Sequence, residues 1–516
     1  MSPFRVRQAA ALLLAPLLMT AWSPAAAISP DQIEAALRAS PDTELESFYR
    51  IAQHRPIWTA QGAIRPEALQ LVEILRNTEL DGLAGGARQA DKLQRAIEQA
   101  QAGTPRDLAR AEITFSSAWI DYVQALRRPA DVGITYIDPS LSPTMPTGRS
   151  ILNAAAAAPS LSRHLNQVSA LNPVYARLRE GYGTWKERWG RLPDVQVPAG
   201  PALAAGRDDE RVPLLRERLG LDRDGAFDGE LAAAVKAFKT AHGLAATAVV
   251  DDTTLTALNA DRGLVEQRLR LNLDRARALP AAGRGRFVLV DAASARLYLY
   301  EDGEVRGSMK VIVGKPSEQT PMIAGLIRTA VLNPYWNVPV DLVQRRIAPN
   351  VLKEGSGYLK AKRYEILSDW TETASIVDPS TVDWAAVAAG QTELRVRQLP
   401  GADNSMGAMK FMFPNQFGVY LHDTPDKALF ADEDRSQSSG CVRVEDAPRL
   451  AAWLFGKAPK AGKGQAEQAV ALAEPVPVFI NYFTAGWTGD RFALRQDPYG
   501  RDGGFRSASS RQLAAR

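Results

Sequence analysis

Residues Gly418 to Val444 read GVYLHDTPDKALFADEDRSQSSGCVRV and hold the only cysteine of the chain, Cys441. They also hold His422, one of four histidines; the others, His54, His164 and His242, lie far upstream. A free thiol is only a few per cent ionised near neutrality. It gains reactivity when an imidazole takes its proton or stabilises its thiolate as the imidazolium. A sole cysteine with one nearby histidine therefore points to covalent acyl transfer, with Cys441 as nucleophile and His422 as base. Taken alone, the thiol also fits an inert core residue, since free cysteine packs as a small hydrophobe. Val419, Tyr420 and Leu421 form a short apolar run that predicts a strand with His422 at its tip. Ser438, Ser439, Gly440 and Cys441 form a run of small residues. Such a run lets the backbone approach a substrate and aim consecutive N–H groups at one point.

The longer string LHDTP…SSGCVRVED resembles the signature of the YkuD-type L,D-transpeptidases, and within them the large multidomain branch of Gram-negative periplasms. The resemblance implies that Cys441 is the nucleophile and His422 the general base and acid. The backbone carbonyl of Asp423 would hold the imidazole in one tautomer. The N–H groups of Gly440, Cys441 and Ser439 would form the oxyanion hole. Arg443, Tyr420 and Ser438 are the expected substrate contacts, with a structural ion pair as the alternative for Arg443. Many members carry a second histidine just before the glycine. This chain has Ser439 there, so no role for a second histidine carries over.

The resemblance also implies the partners: peptidoglycan stem peptides and glycan strands. The donor would be a tetrapeptide stem cleaved after diaminopimelate with loss of D-alanine. An amine of a second stem would resolve the thioester into a 3→3 cross-link, and carbapenems would acylate the same thiol. Water as acceptor would give an L,D-carboxypeptidase, and a wall-lipoprotein link as substrate would give a hydrolase. A non-catalytic wall-binding scaffold is the reading that leaves the Cys441–His422 pair without a task.

The chain has 516 residues, 46% hydrophobic and 23% charged, which predicts several globular domains. Its net charge is +4, with 62 basic residues offset by 58 acidic ones. That suits a polyanionic neighbourhood such as a cell wall, or an ordinary solvated surface. No dense Lys/Arg run marks a nucleic-acid groove. No Cys/His cluster has metal-ligand spacing and no phosphate loop is visible, so neither metal nor other cofactor is expected. Residues 1–27 read as a secretory signal peptide. Arg5 and Arg7 precede an apolar run from Ala9 to Met19, and Ala25-Ala26-Ala27 offers a cleavage site. The run is short for a membrane span, although an uncleaved anchor is the alternative. The expectation is a monomer exported to the periplasm, with no membrane span once the signal is removed. A lone cysteine in an exported chain forms no internal disulfide and is flagged as reactive.

The elements that must position the pair follow in order. Residues 28–190 show helical spacing: Ile33, Ala36 and Leu37; Leu45, Phe48 and Ile51; Leu69, Leu71, Val72, Ile74 and Leu75 behind Pro66; then a long helix from Ala109 to Leu126 with Phe115, Trp119 and Tyr122. His54 and His164 read as surface or capping residues. The segment FYR…RPIWTAQG…LDGL resembles the scaffold domain of the large transpeptidases. Residues 191–210 are a Pro/Gly-rich linker.

Residues 211–260 form a compact module predicted to hold three short helices. It keeps Phe227-Asp228, Ala234-Val235, Phe238, His242-Gly243-Leu244 and Leu258-Asn259, and so resembles the three-helix peptidoglycan-binding domain. It departs at Lys239 and Ala248, where glutamine and glycine are usual. A spacer without a ligand is the alternative. Residues 261–285 carry a connecting helix with Leu264, Leu269, Leu273 and Ala276 on one face, expected to return onto the first helical region so that the module is an insertion. From Phe287 the hydrophobic period changes to two. A hairpin is expected at Asp302-Gly303, further strands at TAVLNPYWNVP, ELRVRQLPG, GVYLHD, CVRV and VPVFINYFTA, and a helix from Pro448 to Phe455. Residues 286–485 thus read as a mostly β catalytic domain. Inside it, residues 340–393 are expected to be a helical and loop-like lid without strands, exposing Tyr358 and Trp384. Residues 486–516 are a C-terminal extension, disordered after Asp502. The fold class is multidomain: helical scaffold, three-helix module, and β domain with a lid.

Overall fold

The computed structural model describes residues 28–39, 42–281, 285–462, 464–489, 491–503 and 511–513. The signal-peptide reading of 1–27 lies outside the described residues. No helix among the described residues is long and apolar enough to cross a membrane.

Helical spacing in the N-terminal region becomes helices wherever the apolar positions recur on one face. Pro30–Ala39 buries Ile33, Ala36 and Leu37, and Thr43–Ile51 buries Leu45, Phe48 and Tyr49 behind an Asp42 N-cap. Pro66–Arg76 starts at its proline, as Pro at the first helical position favours. Pro105–Arg127 buries Phe115, Trp119 and Tyr122. Two expected core positions are solvent-facing: Ile51 is 64% exposed and Leu69 53%. Each lies at the edge of its apolar stripe, where the helix turns out of the core.

The chain divides into two compact units. One falls within Met1–Leu75, Arg88–Ile120 and Gly148–Leu161. Its core holds a buried carboxylate, Glu112, that accepts from the N–H groups of Ile57 (2.6 Å) and Trp58 (2.9 Å) and from the Tyr49 hydroxyl (2.7 Å). These buried donors all meet the carboxylate, which offsets part of the cost of burying the charge.

The other unit contains the three-helix module, the β domain and its insertion. Helices Val212–Arg218, Gly229–Ala241 and Asp252–Leu258 close the module core around Leu215, Leu231, Val235 and Phe238. The Pro/Gly-rich stretch before it is part of that core. Val197 and Leu203 are buried in it, and Leu203 pairs with Val250. The Lys239 ammonium, where glutamine was the usual residue, is buried and donates to Thr247 Oγ1 (2.7 Å) and the Val249 carbonyl (2.9 Å). His242 caps its helix, with Nδ1 2.8 Å from the Phe238 carbonyl. Helices Pro173–Arg188 and Arg262–Arg277 flank the module in sequence and touch each other, Tyr182 donating to Glu266 at 3.2 Å. The module is therefore an insertion between two packed helices. Leu264, expected on the packing face, is 63% exposed because it lies in the first turn of its helix.

The β domain is built on a ten-stranded sheet. Its order runs Met409–Met412, Leu421–His422, Val442–Val444, Glu304–Gly314, Arg296–Glu301, Arg286–Asp291, Gln468–Asn481, Ile323–Leu332. Ile323–Leu332 pairs again with Met409–Met412, so the pairings close on themselves. The Asp302-Gly303 hairpin forms with both residues at positive φ. Helix Ala447–Phe455 packs Leu450, Ala451 and Leu454 into the core inside this ring. A strand not anticipated, Thr135–Tyr136, adds to Ile323–Leu332 in parallel.

The insertion differs from its expected form in three respects. It contains a strand, Tyr364–Leu367. Arg395–Gln398, expected in the main sheet, instead pairs with Tyr364–Leu367 and with Trp336–Val338 in a separate three-stranded sheet. Trp384 is buried, in a core shared with Val343, Ile347, Ile366 and Val387. The excursion therefore starts at Trp336, where the chain leaves the main sheet through Asn333 at positive φ, and it has a core of its own. Of the tail expected to be disordered past Asp502, the described part includes Arg511–Gln512, which pairs in parallel with Leu83–Ala84.

Candidate active site

Leu421–His422 lies between two strands. It runs antiparallel to Met409–Met412 and parallel to Val442–Val444, with Leu421 opposite Val442 and His422 opposite Arg443. Parallel register places Cys441, the residue before Val442, level with Tyr420. The Val442 N–H donates to the Tyr420 carbonyl at 3.2 Å, and Cys441 Sγ lies 3.7 Å from the Gly418 carbonyl oxygen. Of the expected strand only Leu421–His422 forms, and Cys441 and His422 line one cavity of about 960 Å³.

His422 is buried, and its Nδ1 lies 2.6 Å from the carbonyl oxygen of Asp423. A carbonyl only accepts, so Nδ1 carries the hydrogen and Nε2 keeps its lone pair. Burial, helped by the Arg443 charge, pushes the imidazole down to about 3. Burial also pushes the Cys441 thiol up, against the opposing effects of the Tyr420 backbone and Arg443. At rest the cavity thus holds a neutral thiol and a neutral imidazole. The Tyr420 ring stands edge-on to the imidazole at 5.8 Å, its hydroxyl pKa raised by burial. The Asp423 side chain is pinned by the Ala408 N–H (2.9 Å) and Lys427 Nζ (2.7 Å), which fixes the carbonyl aimed at His422.

The nucleophile loop departs from expectation at two residues. Ser438 is buried; its hydroxyl donates to the Cys441 carbonyl at 2.6 Å and accepts from the Gly440 N–H at 3.1 Å. It braces the turn, and Ser438 also lines the cavity. It also occupies the Gly440 N–H, which was expected to face an oxyanion. The reason is local: a tight turn of small residues leaves an N–H that a serine hydroxyl two positions back can satisfy. Gly440 has φ +108°, a conformation that side-chain-bearing residues rarely adopt.

Residues not singled out from sequence hold this turn from behind. The Thr320 hydroxyl donates to the Gly440 carbonyl (2.8 Å) and accepts from the Gly314 N–H (2.8 Å). Tyr499 donates to the Gly314 carbonyl, and Arg501 donates to the Thr320 carbonyl (2.9 Å) while stacking 4.8 Å over the Tyr499 ring. The C-terminal extension thus braces the site.

The insertion supplies the opposite wall, with Trp336, Tyr358 and Tyr364 lining the cavity. Arg345 meets Glu318 at 2.6 Å and also pairs with Asp341. Burial opposes the charge on Glu318, but the Ser439 hydroxyl, Arg345 and Lys315 prevail and hold its carboxyl at about 2. Arg346 donates to the Ser439 hydroxyl at 3.1 Å, and Arg443 faces Asp426 at 3.5 Å.

Residues 285–477 match the family of the L,D-transpeptidase catalytic domain (YkuD). Residues 43–181 match a scaffold domain, and residues 216–258 a "Putative peptidoglycan binding domain". A "Putative L,D-transpeptidase" of Haemophilus influenzae is 34% identical over 248 residues, 46% of this chain and 48% of that protein. The chain therefore spans about half the length of that curated relative. An L,D-transpeptidase structure from Mycobacterium smegmatis aligns over 38% of this chain and 58% of its own, at 14% identity and a TM-score of 0.19. One from Xylanimonas cellulosilytica aligns over 55% and 98%, at 16% identity and a TM-score of 0.17.

Proposed function

We propose that this chain, whose residues 285–477 match the L,D-transpeptidase catalytic domain family, is a periplasmic cysteine acyltransferase that joins peptidoglycan stems by 3→3 cross-links. The observation that carries the reading is the His422 imidazole, fixed by the Asp423 carbonyl with its Nε2 lone pair free, in the cavity that Cys441 lines. A neutral base beside a neutral thiol can accept its proton at the moment of attack.

Cys441 Sγ adds to the scissile carbonyl as its proton passes to His422 Nε2. The Cys441 N–H, with that of Ser439, receives the oxyanion; the Gly440 N–H joins them only when the Ser438 hydroxyl releases it. Oxyanion donors are worth about 3 kcal/mol each in comparable sites. The imidazolium then returns its proton to the departing amine, D-alanine leaves, and a thioester remains on Cys441. An amine of a second stem attacks the thioester and passes its proton through His422 to the sulfur, so one amide replaces another. Arg443 and Tyr420 contact the substrate. The insertion shields the thioester from water, and the 211–260 module holds glycan near the site, raising the local acceptor concentration. Residues 1–27 direct export.

Incubating the protein with disaccharide-tetrapeptide and separating the products tests this reading. Cross-linked dimers should outweigh tripeptide when acceptor stems are abundant. Tripeptide as the main product at every acceptor concentration would make the protein an L,D-carboxypeptidase instead.

A further inference from the structure

Two consecutive arginines of the insertion line the cavity that holds Cys441, and their charges are met differently. Both lie in the π-helical turn Val343–Ile347, a widened geometry that recurs at functional sites. Arg345 is neutralised by Glu318 and Asp341. Arg346 donates to a neutral acceptor, the Ser439 hydroxyl two residues before Cys441. Among the described residues no carboxylate lies within ion-pair distance of Arg346. Across the same cavity stands Arg443, whose carboxylate partner Asp426 is 3.5 Å away and 63% exposed. Burial lowers the pKa of Arg443, Asp426 works against that, and the nearby Arg346 charge adds to the lowering. The two guanidinium groups thus repel each other across a space left open beside the nucleophile, and an anion between them would relieve the repulsion.

We infer that Arg346 is a specificity residue that, with Arg443, receives a carboxylate of the acyl donor. The inference rests on the acyl-transfer reading above. A planar guanidinium suits a carboxylate because two N–H groups can meet two oxygens at once. Binding would exchange the neutral Ser439 hydroxyl for a charged acceptor, while Arg345 keeps the insertion anchored to Glu318. The carboxylate belongs either to the leaving terminal residue or to a side chain next to the scissile bond.

The full-length protein can be tested with iodoacetate and iodoacetamide, which place a carboxylate or a neutral amide on the same sulfur. In both, the S–C bond forms as iodide leaves and the thiol proton passes to His422 or water. The ratio of the two rates, referred to that of glutathione, should exceed one in the wild type. Arg346→Gln should lower it about tenfold, as loss of one charge-assisted contact predicts. Arg346→Lys should fall between, and added salt should shrink the wild-type preference. Arg346 is exposed, so these variants are expected to fold, and near-UV circular dichroism checks it. An unchanged ratio in Arg346→Gln overturns the inference and leaves Cys441 as a nucleophile untouched. A preserved anion preference with no transfer of any stem peptide overturns the acyl-transfer reading instead. Donor peptides amidated at the terminus or at the side chain identify the source, since amidation of the recognised group should raise KM in wild type but not in Arg346→Gln. If neither amidation raises KM, the inference also falls.

Discussion

Nδ1 of His422 lies 2.6 Å from the carbonyl oxygen of Asp423, its own neighbour in sequence. One short contact fixes the tautomer, and burial keeps the ring neutral down to about pH 3. With the Cys441 thiol pushed above its ordinary 9.0, alkylation by iodoacetamide should climb through the alkaline range with no plateau near pH 6. A thiolate fully formed at pH 6 would contradict the neutral pair.

The same burial gives stability a defined pH dependence. An unfolded histidine titrates near 6.5, whereas His422 is held at about 3 and His242 at about 4, both chiefly by burial. Between those limits the unfolded chain binds more protons than the folded one, so stability is fully present above pH 6.5 and falls as the pH falls. Urea unfolding at pH 7.5 and 4.5 should show the loss, and His242→Gln should reduce it. Equal midpoints at the two pH values would contradict this prediction.

Thr320→Val should loosen the nucleophile turn. It removes one hydroxyl at nearly constant volume and leaves the buried Gly314 N–H and Gly440 carbonyl without their partner. The expected cost is about 1–3 kcal/mol in urea unfolding, with kcat falling more than KM rises, and Thr320→Ser should recover most of both. Tyr499→Phe, acting one bond further away, should lose less. Wild-type stability and turnover in Thr320→Val would remove Thr320 from the account.

Removal of the insertion separates shielding from folding. Val338 and Val396 are antiparallel partners, so a hairpin turn can replace residues 340–393. Most of the excursion's core lies within residues 340–393 and leaves with them, so with Val338 and Val396 replaced by threonine the shortened protein should fold. Its thioester should then meet water, shifting product from cross-linked dimer to tripeptide. Unchanged product ratios in a folded, shortened variant would reduce the insertion to a structural excursion.

The candidate site was legible where it is local. His422 and the SSGCVRV turn lie in one short stretch, and the parallel pairing of their two strands brings them together. The module and the hairpin at Asp302-Gly303 were legible for the same reason, since turn residues and helical spacing act over a few positions. What was missed comes from afar or from short pieces. The Thr320 hydroxyl reaches Gly440 across 120 positions of sequence, and Tyr499 and Arg501 belong to a tail that read as an appendage. Thr135–Tyr136 is too short to show a period. The bracing role of Ser438 was missed because its partners, the Gly440 N–H and the Cys441 carbonyl, are set by the shape of the turn. Trp384 read as exposed because its covering residues form a separate core within the insertion.

The central claim is a thioester on Cys441, and the mass of the intact protein tests it most directly. Mixed with a tetrapeptide stem whose side-chain amine is acetylated, so that it can donate but not accept, the wild type should gain the mass of the donor less D-alanine, on Cys441, and an added amine should discharge it. Cys441→Ala should gain nothing and release no D-alanine. Release of D-alanine by Cys441→Ala at the wild-type rate would contradict the account.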